Sequence, residues 1–351
     1  MELSSEDSLR INVLLANKPL AIRINESKMT LHGLTQTGEA HVQLNPDCRD
    51  EKYIKKVKEV LSSHVTGSPG GYPVFLQRWT RMGQMRDTSL EQLLLLGEPE
   101  AVVAAVCASG VTNELARRAW WAMEDAENAR RLLQHDDVIA GDMGPVLANY
   151  LIEHLPFESE PEKMIESVSC ILQPGLVDTI TQEELWKKGQ RKPAYHVGFI
   201  IAIPDAIPLS SKPHKKFISV LPTLHQQAQQ GSVLAAQLYR ILSQTGQAFL
   251  LALESILKKP SNQEVVNLAF DAVRDNFQAL RPEGDPDLTI DDLMLQAEQY
   301  VEESSEARAV LAINAELRPV ITALYVLSGL GYGVLRPVFH DTTAIGSLMR
   351  R

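Results

Sequence analysis

A mostly α-helical chain with a small antiparallel β element at its amino end is the fold class this sequence predicts, and three observations predict it. Short alternating segments are confined to residues 9–45, apolar residues recur at helical spacing from Asp50 onward, and Gly or Pro punctuates the later chain about every ten residues. Helices of that length joined by three or four residues pack antiparallel, and a string of such pairs resembles an irregular HEAT- or armadillo-like helical-repeat array. Hydrophobic residues make up 44% of the 351 and charged residues 22%, a composition that folds rather than staying disordered. Length and punctuation divide the chain into three regions: 1–66, a β element plus one helix; 67–210, short helices; and 211–351, longer helices.

The elements follow in order. Leu9–Leu15, Leu20–Asn25 and Ala40–Leu44 read as strands, separated by Lys18-Pro19 and by Thr35–Gly38. In the second of these, Leu20, Ile22 and Ile24 alternate with Ala21, Arg23 and Asn25, which puts three side chains on one sheet face. Glu51–Ser62 spaces Tyr53, Ile54, Val57, Val60 and Leu61 as a helix, and Gly67-Ser68-Pro69-Gly70-Gly71 breaks the chain after it. Short helices are expected at Leu90–Leu96, Glu100–Ser109, Asn113–Met123, Ala126–His135, Pro145–Leu155 and Glu162–Leu172. Trp186-Lys187-Lys188-Gly189 reads as a turn, and Ala194–Pro208 as either a buried strand or a short helix, since its β-branched apolar run has no clear period. Longer helices are expected at about 217–258, 262–280, 288–303 and 306–327. The uncharged run 319–335 is 17 residues long, at the lower edge of the roughly 17–25 that span a bilayer. With its glycines it reads as a core helix followed by a turn, not as a membrane span.

Composition also bounds function. The formal charge of −10 argues against a dedicated nucleic-acid-binding domain. Cys48, Cys107 and Cys170 are odd in number and widely spaced, so they form no disulfide framework and no CxxC pair, and a reducing cytoplasm fits them. The acidic opening MELSSEDSLR lacks the basic and apolar regions of a secretory signal. No two of the nine histidines share i, i+4 spacing or an HExxH frame, and neither a GxSxG elbow nor a Walker lysine occurs. The Gly329, Gly331, Gly333 pattern is followed by Pro337 rather than a helix, so it reads as a helix end, not a dinucleotide loop. Asp285, Asp287 and Asp291 alternate as calcium ligands do, but Ile290 and Gln296 occupy positions that an EF-hand loop gives to Gly and Glu, so Asp285-Pro286-Asp287 with Thr289 and Asp291 is expected to end a loop and cap a helix beginning near Ile290. No cofactor, no metal and no catalytic residue is expected.

Charge and aromatic residues cluster in three places. Residues 283–306 hold nine acids and no Lys or Arg, whereas 187–216 holds Lys187, Lys188, Arg191, Lys192, Lys212, Lys215 and Lys216 against Asp205 alone. The basic block could contact nucleic-acid phosphates, which makes a nucleic-acid-binding regulator the alternative reading. Arg78, Trp79, Arg81, Arg117, Arg118, Trp120 and Trp121 supply the third cluster, with Arg86, Arg130 and Arg131 nearby. Arg and Trp dominate binding hot spots because each joins a large contact area to a polar handle, so these residues are the candidates for binding a protein partner. Trp120 and Trp121 diverge by about 100° on a helix, so only one can face a core; the competing reading makes the arginines partners of Glu114, Glu124 and Glu127.

The stretches SSEDSLRINVLLANKPLAIRI, RWTRMGQMRD at 78–87 and ARRAWWAMEDAENARRLL at 116–133 resemble the sulfur-reduction protein DsrS family, encoded beside dissimilatory sulfite reductase in sulfur-oxidising bacteria. The resemblance extends over nearly the whole chain and carries no catalytic motif. It implies a cytoplasmic, non-enzymatic accessory or regulatory protein of sulfur oxidation whose partners are proteins of that machinery. Three scattered cysteines, too few for a Cys₄ cluster, agree with it.

Overall fold

The computed structural model describes residues 3–67, 69–72, 87–258, 260–281 and 287–330. Its first element corrects the sequence reading: Leu9–Leu15 lies within a helix, α1 (Ser5–Ala16), not a strand. Leu9, Ile11, Val13 and Leu15 alternate as a strand would, but Leu9 and Val13 are exposed while Ile11, Leu14 and Leu15 are buried, the spacing of one helix face. Ser4 decides the local conformation by accepting the Asp7 N–H, and Glu6 and Asp7 place negative charge on the first turn.

Strands β1 (Ala21–Asn25), β2 (Thr30–Thr35) and β3 (Gly38–Gln43) form an antiparallel sheet in the order β1-β2-β3. The pairing Ile22↔Gly33↔Ala40 and Ile24↔Leu31↔Val42 gathers one face against α1 and α2 (Asp50–Thr66), with Ile11, Leu14, Tyr53, Val57 and Leu61 completing the core. Gly33 leaves room for α1, since a Cβ there would stand 3.0 Å from Leu14 Cδ1. The other face presents Arg23↔His32↔His41 in one row.

Among the described residues there follow α3 (Asp87–Leu93), α4 (Pro99–Val106), α5 (Asn113–Ala122), α6 (Ala126–Leu132), α7 (Asp136–Ile139) and α8 (Met143–His154). Thr112 and Asp125 cap α5 and α6 by accepting the Leu115 and Asn128 amides. Beyond them lie α9 (Pro161–Ile171), α10 (Thr179–Gly189) and α11 (Pro193–Ala202). The expected Trp186–Gly189 turn is instead the last turn of α10, whose start Asp178 fixes by accepting the Thr181 amide. The ambiguous apolar segment is α11, and Ala194 through Ile200 are all buried, so a helix enclosed on every side shows no amphipathic period.

Two expected long helices are interrupted. In place of the helix expected at 217–258 stand a 3₁₀ turn (Lys215–Val220), α12 (Leu221–Gln229), α13 (Val233–Leu242) and α14 (Gln244–Lys258), with Gly231 at φ +99° between α12 and α13 and Ser232 capping α13. Residues 306–327 split into α17 (Ser305–Ile313) and α18 (Arg318–Ser328), Pro319 standing in the first turn of the latter. Between them in sequence come α15 (Gln263–Phe277) and α16 (Ile290–Glu303). Ile321, Leu324, Val326 and Leu327 of α18 are buried, and no helix among the described residues is long and apolar enough to cross a membrane. Residues 331–335 of the apolar run lie outside the described residues. The chain is therefore mostly helical with one small N-terminal sheet. It divides into two compact units, Met1–His154 and Leu155–Arg351, a division that falls within the 67–210 stretch.

Candidate interaction surface

Helix α5 sorts its side chains by angle. Leu115, Ala116, Ala119 and Trp120 are buried, while Glu114, Arg117, Arg118 and Trp121, spaced i, i+3, i+4, i+7, form the outward stripe. Trp120 is thus the core tryptophan of the pair, set edge-to-face on Tyr150 of α8 at 4.7 Å between centroids. Arg117 Nη2 donates to both Asp142 oxygens at 2.7 and 2.8 Å, and its Nε donates to Glu114 at 3.3 Å. Arg118 donates from Nε to Glu114 at 3.0 Å and pairs with Glu91 at 3.3 Å. The hydrogen bond from Asn113, with the Arg117 charge, holds the Asp142 carboxyl below the usual carboxylate range.

Trp121 ties this stripe to the outer face of the sheet. The Arg23 guanidinium sits 4.6 Å from the Trp121 ring centroid and donates to the Trp121 carbonyl at 3.2 Å. Glu39 then receives three neighbours: Arg23 Nη2 at 3.2 Å on both oxygens, Trp121 Nε1 at 3.2 Å, and His32 Nδ1 at 2.6 Å. Burial pushes the Glu39 carboxyl up, but the bonds from His32, Trp121 and Arg23 outweigh it and hold the group below its ordinary value. His41 follows 6.2 Å from the His32 ring. Arg23, His32 and Glu39 had no cue in local motif spacing. Their sole sequence signal is their place on the polar side of the strands, since Glu39 is 82 residues from Trp121.

The basic block is divided. Lys187 and Lys188 of α10 and Arg191 and Lys192 after it line one cleft of about 460 Å³ with Pro156 and Tyr195, and Lys212, Lys215 and Lys216 do not line it. Lys216 pairs with Glu316 at 3.5 Å and Lys187 lies 3.9 Å from Glu183. Acids of the 283–306 block also have local tasks: Thr289 and Asp292 form a reciprocal capping box on α16, Glu302 pairs with Arg318 at 2.6 Å, and Glu306 accepts the Val233 and Leu234 amides. Capping by Thr289 and a helix start at Ile290 match the sequence expectation, and Asp285 and Pro286 of that expectation lie outside the described residues.

Arg78, Trp79 and Arg81 lie outside the described residues. Among the described residues no group of three His, Cys, Asp or Glu side chains could hold a metal ion. His196 is buried against Trp186 with ring centroids 3.9 Å apart, its Nε2 3.0 Å from the Trp186 carbonyl, and burial lowers its pKa. Cys107 is exposed, Cys48 half-buried and Cys170 buried. No family model, no curated protein and no solved structure matches the chain.

Proposed function

We propose that the protein is a non-enzymatic accessory factor that docks a protein partner on the Arg117–Arg118–Trp121 stripe and the adjoining Arg23–Glu39–His32 face, in the cytoplasmic sulfur oxidation that the resemblance to the DsrS family implies. One observation carries this reading. The arginines and the outward tryptophan picked out by residue type share a single stripe, and carboxylates fix their orientations before any partner arrives. Side chains already immobilised lose less entropy on binding, and Arg and Trp give the largest returns in contact energy. Arg117 keeps 43% of its side chain exposed, so the network leaves surface to bind.

The test is titration of the purified full-length chain with purified dissimilatory sulfite reductase of a sulfur oxidiser. Saturable binding is expected, and Arg117→Ala with Trp121→Ala should weaken it by more than about 1 kcal/mol, roughly fivefold, with the helical signal retained. An absence of binding, or equal affinity of the double variant, overturns the proposal.

A further inference from the structure

The cleft at the end of α10 has the chemistry of an anion site, independent of the stripe on α5. Four cationic side chains, Lys187, Lys188, Arg191 and Lys192, lie within six residues and line it, and no acidic side chain does. Bases in the last turn of a helix complement the helix dipole, which accounts for Lys187 and Lys188. Arg191 and Lys192 stand beyond the helix end, where that explanation stops. Lys188 and Arg191 make no side-chain ion pair among the described residues, and the Lys187 contact with Glu183 is loose, with both partners largely exposed. The Lys192 ammonium is half-buried and donates to the Leu155 and Glu158 carbonyls at 3.4 Å each, and among the described residues no carboxylate pairs with it. Cations held together this way repel one another, and a ligand with two or more negative charges relieves the repulsion.

We propose that this cleft binds the phosphate groups of a nucleotide, with Phe157 as the platform for its base. Phosphate is favoured over a single carboxylate because the Arg fork and several ammonium groups match a multiply charged, many-oxygen anion. About 460 Å³ falls in the range of roughly 300–1,000 Å³ for small-ligand sites. Phe157 directly follows Pro156 of the cleft wall and is 81% exposed, the most exposed of the large hydrophobic side chains among the described residues. Its backbone is pinned from both sides by cleft residues: Lys192 donates to the Leu155 and Glu158 carbonyls, and the Tyr195 hydroxyl donates to Leu155 at 3.2 Å. The Tyr195 ring is buried and serves as floor. An exposed aromatic beside a cationic groove is how stacking and phosphate contacts are combined for nucleotides. The phosphate can belong to a free nucleotide or to a single strand of nucleic acid.

Titrations of the full-length protein with pyrophosphate, ADP and a five-residue single-stranded oligouridylate separate these. Saturable ADP binding that weakens as salt rises is expected, with at least a tenfold loss in a Lys188→Ala/Arg191→Ala variant of unchanged unfolding midpoint. Phe157→Ala should weaken ADP severalfold and leave pyrophosphate unaffected. Oligouridylate at least tenfold tighter than ADP makes the strand the source of the phosphate, and equal or weaker binding makes it a free nucleotide; both support the site. Absence of binding by the unmodified protein to ADP and oligouridylate alike, undiminished binding by the double variant, or an ADP affinity unmoved by Phe157→Ala overturns the proposal.

Discussion

Asp7 is fully buried, and the fold surrounds it with donors that favour its carboxylate form. Tyr53 donates its hydroxyl, Asn45 donates its backbone N–H at 2.9 Å and its side-chain amide at 3.3 Å, and Arg10 stands 4.0 Å away. Burial alone would raise its pKa, but the bonds from Tyr53 and Asn45 and the Arg10 charge overcome that and lower it. Burial, and then the bond to Asp7, push the Tyr53 phenol up. A folded-state pKa below the unfolded one means that the stabilisation is complete above the ordinary carboxylate value and is lost as pH falls through it toward the lowered value. Asp7→Asn should therefore cost about 1–3 kcal/mol at pH 7, and the gap to the natural protein should narrow below about pH 4. Urea unfolding at pH 7 and pH 3 reads both; a gap constant with pH would mean that Asp7 is not ionised.

Among elements, α11 is held by close packing against its neighbours. A Cβ at Gly198 would lie 2.7 Å from Val168 Cβ and 3.0 Å from the Ile165 carbonyl, so α9 packs directly on the α11 backbone. Gly198→Ala should cost about 1–3 kcal/mol by overpacking. Gly175→Ala, where φ is +84° and the space is open, serves as a backbone-strain comparison. A thermal midpoint for Gly198→Ala equal to that of the natural protein would place the two helices farther apart. At α16, Thr289→Ala removes one half of the capping box and should cost about 1 kcal/mol, measurable as a shift in the denaturant midpoint with unchanged slope. The sequence announced that cap, because Thr289 and Asp292 act over three residues. It could not announce α1, where one apolar pattern satisfies periods of two and of 3.6 until the core selects Ile11, Leu14 and Leu15.

At the scale of the whole molecule, the two units are each long enough to bury a core, and Met1–His154 contains both the sheet with its cluster around Tyr53 and the complete α5 stripe. A fragment of residues 1–154 should accordingly unfold cooperatively and keep the pH-dependent contribution of Asp7. A non-cooperative melt of that fragment would show that its core needs the rest of the chain. Charge was not opposed block against block: Glu302 pairs with Arg318 and Lys216 with Glu316, each outside the other block, while Lys188, Arg191 and Lys192 meet no carboxylate among the described residues.

What the sequence determined by itself was whatever depends on near neighbours: the helical class, the site of the small sheet, α2 and its break at Gly67, the α16 cap, and the divergence of Trp120 from Trp121. Tertiary structure alone decided which of those tryptophans turned outward, that Glu39 would gather Arg23, His32 and Trp121, and that only four of the seven bases of 187–216 would share a cleft. Periodicity and capping act within a turn or two of chain. The partners of a carboxylate 82 residues from its tryptophan are set by how faces pack, which local spacing does not encode.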